Sequence, residues 1–185
     1  MSSPRIGITM GDPKGIGPEV ICKAFGQLES TEGLVVYGLA ELFSTLETNC
    51  VAHDTARDAI EAAARDLDQG LLDGVVTGPV SKSCFQGDFP GHTELFADRL
   101  GADRFAMVLT GERLTVSCVT THVPLREVAN VLSTDDIVST GHLLHTFLQD
   151  AKGLERPRIA MAALNPHASD GGLFGDEEVR LLEPA

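Results

Sequence analysis

Residues 6–20, IGITMGDPKGIGPEV, decide how the chain begins to fold. Ile6-Gly7-Ile8-Thr9 is a short strand, Met10 to Gly17 a glycine-rich turn, and Pro18-Glu19 the opening of a helix that runs to Phe25. Proline pre-sets the helical φ where its missing N–H costs nothing, and glutamate there faces the positive end of the helix dipole. Strand, turn and helix make one βα unit, and the pattern continues downstream. Leu34 to Tyr37 is a second strand, Ala40 to Leu46 a short helix, and Thr55 to Gly70 a helix with alanine and leucine at helical spacing. Leu72 to Thr77 is a buried strand stopped by Gly78-Pro79. A loop then leads to a helix with Thr93 as its cap and Gly101 as its stop.

The runs Phe105 to Leu109 and Leu114 to Thr120, separated by Thr110-Gly111-Glu112-Arg113, have the spacing of an antiparallel hairpin. Helical patterns cover Leu125 to Leu132 and Asp136 to Ala151, Arg158 to Leu164 is a last strand, and an acidic helix begins after Phe174-Gly175. Strands alternating with helices predict an α/β layered fold with a mostly parallel sheet and one antiparallel pair. Gly78-Pro79 and Gly153 to Pro157 are the plausible hinges, which suggests an N-terminal α/β portion over residues 1–80 and a central one over 81–185.

The 185 residues suffice for one generous domain or two small ones, and 43% hydrophobic with 22% charged residues is an ordinary globular composition. The net charge of -13 argues against nucleic acid and anionic membrane surfaces as partners, because a diffuse negative field repels both. An anionic small substrate stays compatible, since local cations, backbone amides or a metal override the distant field at a pocket. Met1 to Arg5 runs straight into the first strand without a basic region, apolar segment and cleavage site in series, and no apolar run is long enough to cross a bilayer. Cys22, Cys50, Cys84 and Cys118 are scattered without a CxxC pair and read as reduced, mostly buried thiols. A cytoplasmic protein is expected.

Three places can carry chemistry. The turn Met10 to Glu19 either offers amides to a phosphate at a helix N-terminus or uses Gly11, Gly15 and Gly17 only to turn tightly. It matches neither the P-loop nor the dinucleotide fingerprint, and Lys14 in it reads as a solvated charge. The loop Thr77 to Lys82 follows a strand at the edge where parallel sheets collect ligands, so Lys82 can meet an anion or a reacting hydroxyl. The third is a set of histidines. His53, His142 and His145 read as surface or packing residues, the last two lacking the glutamate of a catalytic metal motif. His92 lies at a loop-to-helix junction, while His122 and His167 each follow a predicted strand and would share one rim of a sheet. Imidazole is the commonest metal-binding side chain, although a catalytic site normally has three protein ligands.

Taken in order, GDPKGIGPEV, DGVVTGPVSK, FPGHTELFADRLG, VTTHVPLREV and LNPHASDGGLFGDEE make the chain similar to the 4-hydroxythreonine-4-phosphate dehydrogenase family of pyridoxal phosphate biosynthesis. The resemblance implies a layered α/β/α fold of the isocitrate and isopropylmalate dehydrogenase type, here incomplete, with NAD (or NADP) bound without a Rossmann fingerprint. It implies that His92 and Thr93 contact substrate, that His122 and His167 are metal ligands, and that Lys82 is a catalytic lysine, as anion contact or proton shuttle. The ion would be zinc first, with cobalt, manganese or magnesium as alternatives. The implied reaction oxidises the secondary hydroxyl of 4-phosphohydroxy-L-threonine and decarboxylates the product to 3-amino-2-oxopropyl phosphate, in a homodimer with its active site at the interface. Relatives acting on 4-phospho-threonate, 4-phospho-erythronate or a cyclic diol acid are the alternative, as is a metal- or ligand-binding remnant without turnover. The chain departs from the pattern at Lys14, where alanine is commoner, and in a short spacer between Val20 and Asp73. It is also expected to be truncated after FGDEE, without the family's third metal histidine in a Tyr-His-Asp-Gln-Gly motif.

Overall fold

The computed structural model describes residues 3–185; Met1 and Ser2, part of the stretch read for a leader, lie outside the described residues. The chain divides into two compact units, the first ending at Asp103 and the second running Arg104–Ala185. The boundary expected at residues 80–81 falls inside the first unit.

The first unit is built from β1 (Ile6–Thr9), α1 (Gly17–Phe25), β2 (Leu34–Gly38), a 3-10 turn (Ala40–Phe43), β3 (Asn49–Ala52), α2 (Ala56–Asp68), β4 (Gly74–Thr77), a second 3-10 turn (Lys82–Phe85) and α3 (His92–Arg99). Its four strands are all parallel in the order β3-β2-β1-β4, with Thr9 opposite both Tyr37 and Thr77. Successive side chains of β2 leave on opposite faces. Val36 joins Met10, Ile21, Phe25 and Phe43 beneath α1, whereas Tyr37 joins Ala59, Ala62, Ala63 and Leu72 beneath α2. The sheet is therefore covered on both sides, as an α/β/α layering requires. Alanines along α2 let the helix approach closely, and the Tyr37 hydroxyl completes the contact by donating to Asp66 at 2.6 Å. Thr55 caps α2, accepting from the Asp58 amide at 3.1 Å and donating to the Asp58 carboxylate at 2.7 Å.

The second unit holds an antiparallel hairpin of β5 (Met107–Thr110) and β6 (Thr115–Cys118), closed where the Gly111 amide donates to the Leu114 carbonyl. A 3-10 turn (Leu125–Glu127) leads into α4 (Val128–Val131), then α5 (Thr134–Asp150) starts at a Ser133 cap. A π turn, Glu178–Leu182, packs Leu181 and Leu182 with Ile137 of α5.

Several expectations need correction. β3 was not anticipated: NCVA has no apolar alternation, and its pairing with β2 supplies what propensity does not. β4 is an edge strand with Val76 57% exposed, not a buried one. Gly91, rather than Thr93, stands at the N-cap of α3. Arg158 to Leu164 forms no strand; an apolar run needs a partner for its ladder bonds, and none pairs with it among the described residues. The acidic helix expected after Gly175 is only the π turn. All four cysteines are free, as expected, but half-buried.

Candidate active site

The glycine-rich turn packs on the loop after β4. Gly78 N donates to Thr9 O and Asp12 N to Pro79 O, both at 2.9 Å. A Cβ on Gly17 would sit 2.2 Å from the Met10 carbonyl oxygen, and one on Gly78 would sit 2.7 Å from Met10 backbone atoms. The Lys14 and Gly15 amides are also taken, both by Asp12 at 2.9 Å. Three amides of the turn are thus spent inside the protein, and Gly17 and Gly78 serve close backbone packing.

Beside this contact the strand order reverses: β2 and β3 lie to one side of β1 and β4 to the other. Such a switch point, beyond the carboxyl ends of parallel strands, is where open α/β sheets bind ligands. A cavity of about 370 Å³ opens there, lined by Asp12, Asp54, Thr55, Arg57, Ser81 and Cys84 among others. A larger groove of about 1050 Å³ lies near Leu34 and Asn49, where β2 and β3 begin, and holds none of the expected chemistry. Burial pushes the Cys84 thiol up, only partly offset by Arg57, so it is not a ready nucleophile.

Lys82 starts the turn after this loop and is exposed, and Phe85 ends the turn fully buried. The Phe85 ring meets His92 edge-on at 5.3 Å. Around it, Arg57 and Arg99 stand 5.6 and 5.4 Å from the centre of the Phe89 ring and share Glu61 as acceptor. Hydrogen bonds from Arg99, then Arg57, hold the Glu61 carboxyl below its usual range. This staple ties α2, α3 and the loop that delivers His92 to one another. His92 itself is half-buried, its Nε2 has no hydrogen-bond partner, and burial lowers its pKa from the ordinary imidazole value. An unpaired polar nitrogen shielded from solvent is unusual, and it marks His92 as a candidate site residue. Thr93 follows on the first turn of α3, half-buried.

His122 and His167 belong to the second unit, both exposed, at φ 55 and 54. Left-handed backbone costs a residue with a Cβ about 1–2 kcal/mol. Such strain persists where the surroundings over-determine it, often at functional sites. His167 is the first of a run, followed by Ala168, Ser169 and Asp170 at φ 50, 67 and 45. The two imidazoles have the right donor chemistry for a divalent ion. They do not make a full set: among the described residues no group of three or more His, Cys, Asp or Glu can hold a metal ion. The Phe89 staple and the acidic residues around His167 were missed at the sequence level. Only the tertiary pairing identifies them, although two arginines flanking a loop phenylalanine and the pair Glu177-Glu178 were there to be weighed.

Comparison with known proteins bears on these residues. The chain is 36% identical to the 4-hydroxythreonine-4-phosphate dehydrogenase of Desulfosudis oleivorans, over 98% of this chain and 68% of the relative. It is 33% identical to the D-threonate 4-phosphate dehydrogenase of Salmonella typhimurium, over 100% and 71%. The 4-hydroxythreonine-4-phosphate dehydrogenase structure from Klebsiella pneumoniae superposes with a TM-score of 0.83 at 31% identity, covering 98% of this chain and 69% of that one. The chain thus spans about two thirds of the length of these relatives, 62% in the case of the Bacteroides thetaiotaomicron enzyme. The alignments run to 232 and 233 positions against 185 residues, so the relatives also carry internal segments that this chain lacks. Such neighbours bear out the isocitrate and isopropylmalate dehydrogenase type of fold. Residues 25–185 match the profile described as pyridoxal phosphate biosynthetic protein PdxA, and the chain belongs to that family of dehydrogenases.

Proposed function

We propose that the protein is an NAD-linked dehydrogenase for a small phosphorylated hydroxy acid, 4-phosphohydroxy-L-threonine first. The observation that carries this reading is the match to named dehydrogenases along nearly the whole chain. In the reaction, the secondary hydroxyl gives its proton to a base and its carbon-bound hydride to NAD (or NADP), leaving a ketone. The resulting β-keto acid loses carbon dioxide to give 3-amino-2-oxopropyl phosphate. His92, with its Nε2 unpaired, contacts the substrate together with Thr93, the next residue on the first turn of α3. Lys82, exposed at the carboxyl edge of the sheet, either neutralises an anionic group or moves the hydroxyl proton. His122 and His167 would hold a divalent ion, zinc first and cobalt, manganese or magnesium as alternatives, as two of the three protein ligands such a site normally has. Bound there, the ion supplies Lewis acidity to the reacting oxygens. A homodimer is the proposed assembly, to be checked by sedimentation velocity.

The D-threonate 4-phosphate dehydrogenase relatives favour a second reading, in which 4-phospho-D-threonate is the substrate. That acid carries a hydroxyl where hydroxythreonine carries an amine. NADH formation measured with each compound, with and without zinc or cobalt, decides between the two. No turnover of either compound, with any of these ions and either cofactor, sinks both and leaves a ligand-binding protein.

A further inference from the structure

His167 occupies strained backbone yet does little to hold itself there: it is exposed, and its ring makes only a tilted contact with Phe174 at 6.2 Å. The restraint comes from a carboxylate ten or so residues on. Glu178 is only 6% exposed and accepts from the Leu164 amide at 2.9 Å, the Asn165 amide at 2.6 Å, the Asn165 side-chain amide at 3.0 Å and the Ser169 hydroxyl. Those donors bracket His167 on both sides. Glu177 adds a bond from the same Asn165 side chain at 2.7 Å. Glu178 is itself anchored, because it begins the π turn whose Leu181 and Leu182 pack on Ile137, and the Leu181 carbonyl accepts from Thr134 at the start of α5.

We propose that Glu178 is a positioning residue: its carboxylate locks the loop 165–170, left-handed from His167 to Asp170, to the start of α5 and so sets the direction in which His167 presents its imidazole. The role of His167 as a metal ligand rests on the function proposed above, but the locking does not. An acceptor-only group suits the task, since all four bonds arrive from donors. A glutamine keeps the shape but turns one acceptor into a donor facing donors.

The test uses the 185-residue chain with Glu178→Gln, Ser169→Ala as a milder variant that keeps the charge, and Val179→Ala as a control on the exposed face of the same π turn, outside both the loop bonds and the Ile137 cluster. Hydrogen exchange by mass spectrometry on metal-free protein is expected to show faster exchange over 164–172 in Glu178→Gln, less so in Ser169→Ala, with the sheet of the first unit unchanged. Cobalt affinity, followed by its visible absorption, is expected to fall roughly 10- to 100-fold in Glu178→Gln, as for other residues that orient metal ligands, and to stay near the parent in Val179→Ala. Exchange over 164–172 that matches the parent in Glu178→Gln, or that rises equally in Val179→Ala, overturns the positioning role. If Glu178→Gln does not fold, Ser169→Ala decides on the same criterion. Cobalt binding that His167→Ala leaves intact defeats the ligand role of His167 alone, and the exchange comparison still decides the locking.

Discussion

Single residues carry the electrostatics of this protein. His92 has a pKa lowered by burial, so the folded state resists its protonation while the unfolded chain takes the proton near pH 6.5. Stability is therefore full above about pH 6.5 and is lost as pH falls from there through the lowered value. Denaturant midpoints across that window are expected to fall in the parent and to flatten in His92→Gln. Glu178 behaves like other carboxylates that gain donors: bonds from the Asn165 side chain, the Ser169 hydroxyl and the Asn165 amide bring its pKa down to about 2. Its contribution is present above the ordinary carboxylate value and disappears as pH falls through about 2. Tyr37 has the opposite sense, its phenol pushed far up by burial and by Asp66. Tyr37→Phe removes a bond to a charged acceptor and is expected to cost about 1–2 kcal/mol, seen as a melting temperature lower by a few degrees. His92 was legible as a candidate in the sequence because histidine at a loop-to-helix junction is unusual chemistry in a cheap place. Its unpaired Nε2 was not, since that depends on Phe85 closing over it from another turn.

At the scale of elements, the contact between the turn after β1 and the loop after β4 is the most demanding. Gly78→Ala forces a Cβ into Met10 backbone that cannot move aside, and is expected to cost at least about 1–3 kcal/mol by chemical denaturation. The Phe89 staple is more forgiving. Phe89→Ala removes one ring beneath two guanidinium groups and is expected to destabilise by about 1–2 kcal/mol. Under the substrate role proposed for His92, which the same loop delivers, substrate KM is expected to rise more than kcat falls, as steady-state kinetics would show. Elements with strong local signals, α1, α2, α5 and the β5–β6 hairpin, were legible because capping residues and periodicity act within a few residues. β3 and the stretch Arg158 to Leu164 were misread for one reason in opposite senses. A strand exists only when a neighbour supplies its ladder: β2 does so for the short NCVA, and nothing described does so for the apolar RIAMAAL.

For the whole molecule, no helix among the described residues is long and apolar enough to cross a membrane, and the charge of -13 keeps polyanions away. A ligand that binds only the folded chain raises its stability by mass action, by about 2.7 kcal/mol at a hundred times its Kd. Zinc or cobalt is expected to raise the melting temperature of the parent, with less effect on a His122→Ala/His167→Ala double variant; an equal rise in both would argue for adventitious sites. By itself the sequence determined the α/β class, a mostly parallel sheet and the family, because periodicity, caps and ordered motifs are local properties that survive without coordinates. Tertiary structure alone decided that the glycine turn packs on the loop after β4, that His92 keeps a buried, unpaired nitrogen, and that Glu178 accepts bonds from both sides of His167. Each of these depends on which distant atoms fill the space around a group, and burial and hydrogen-bond satisfaction are set only once the chain has closed on itself.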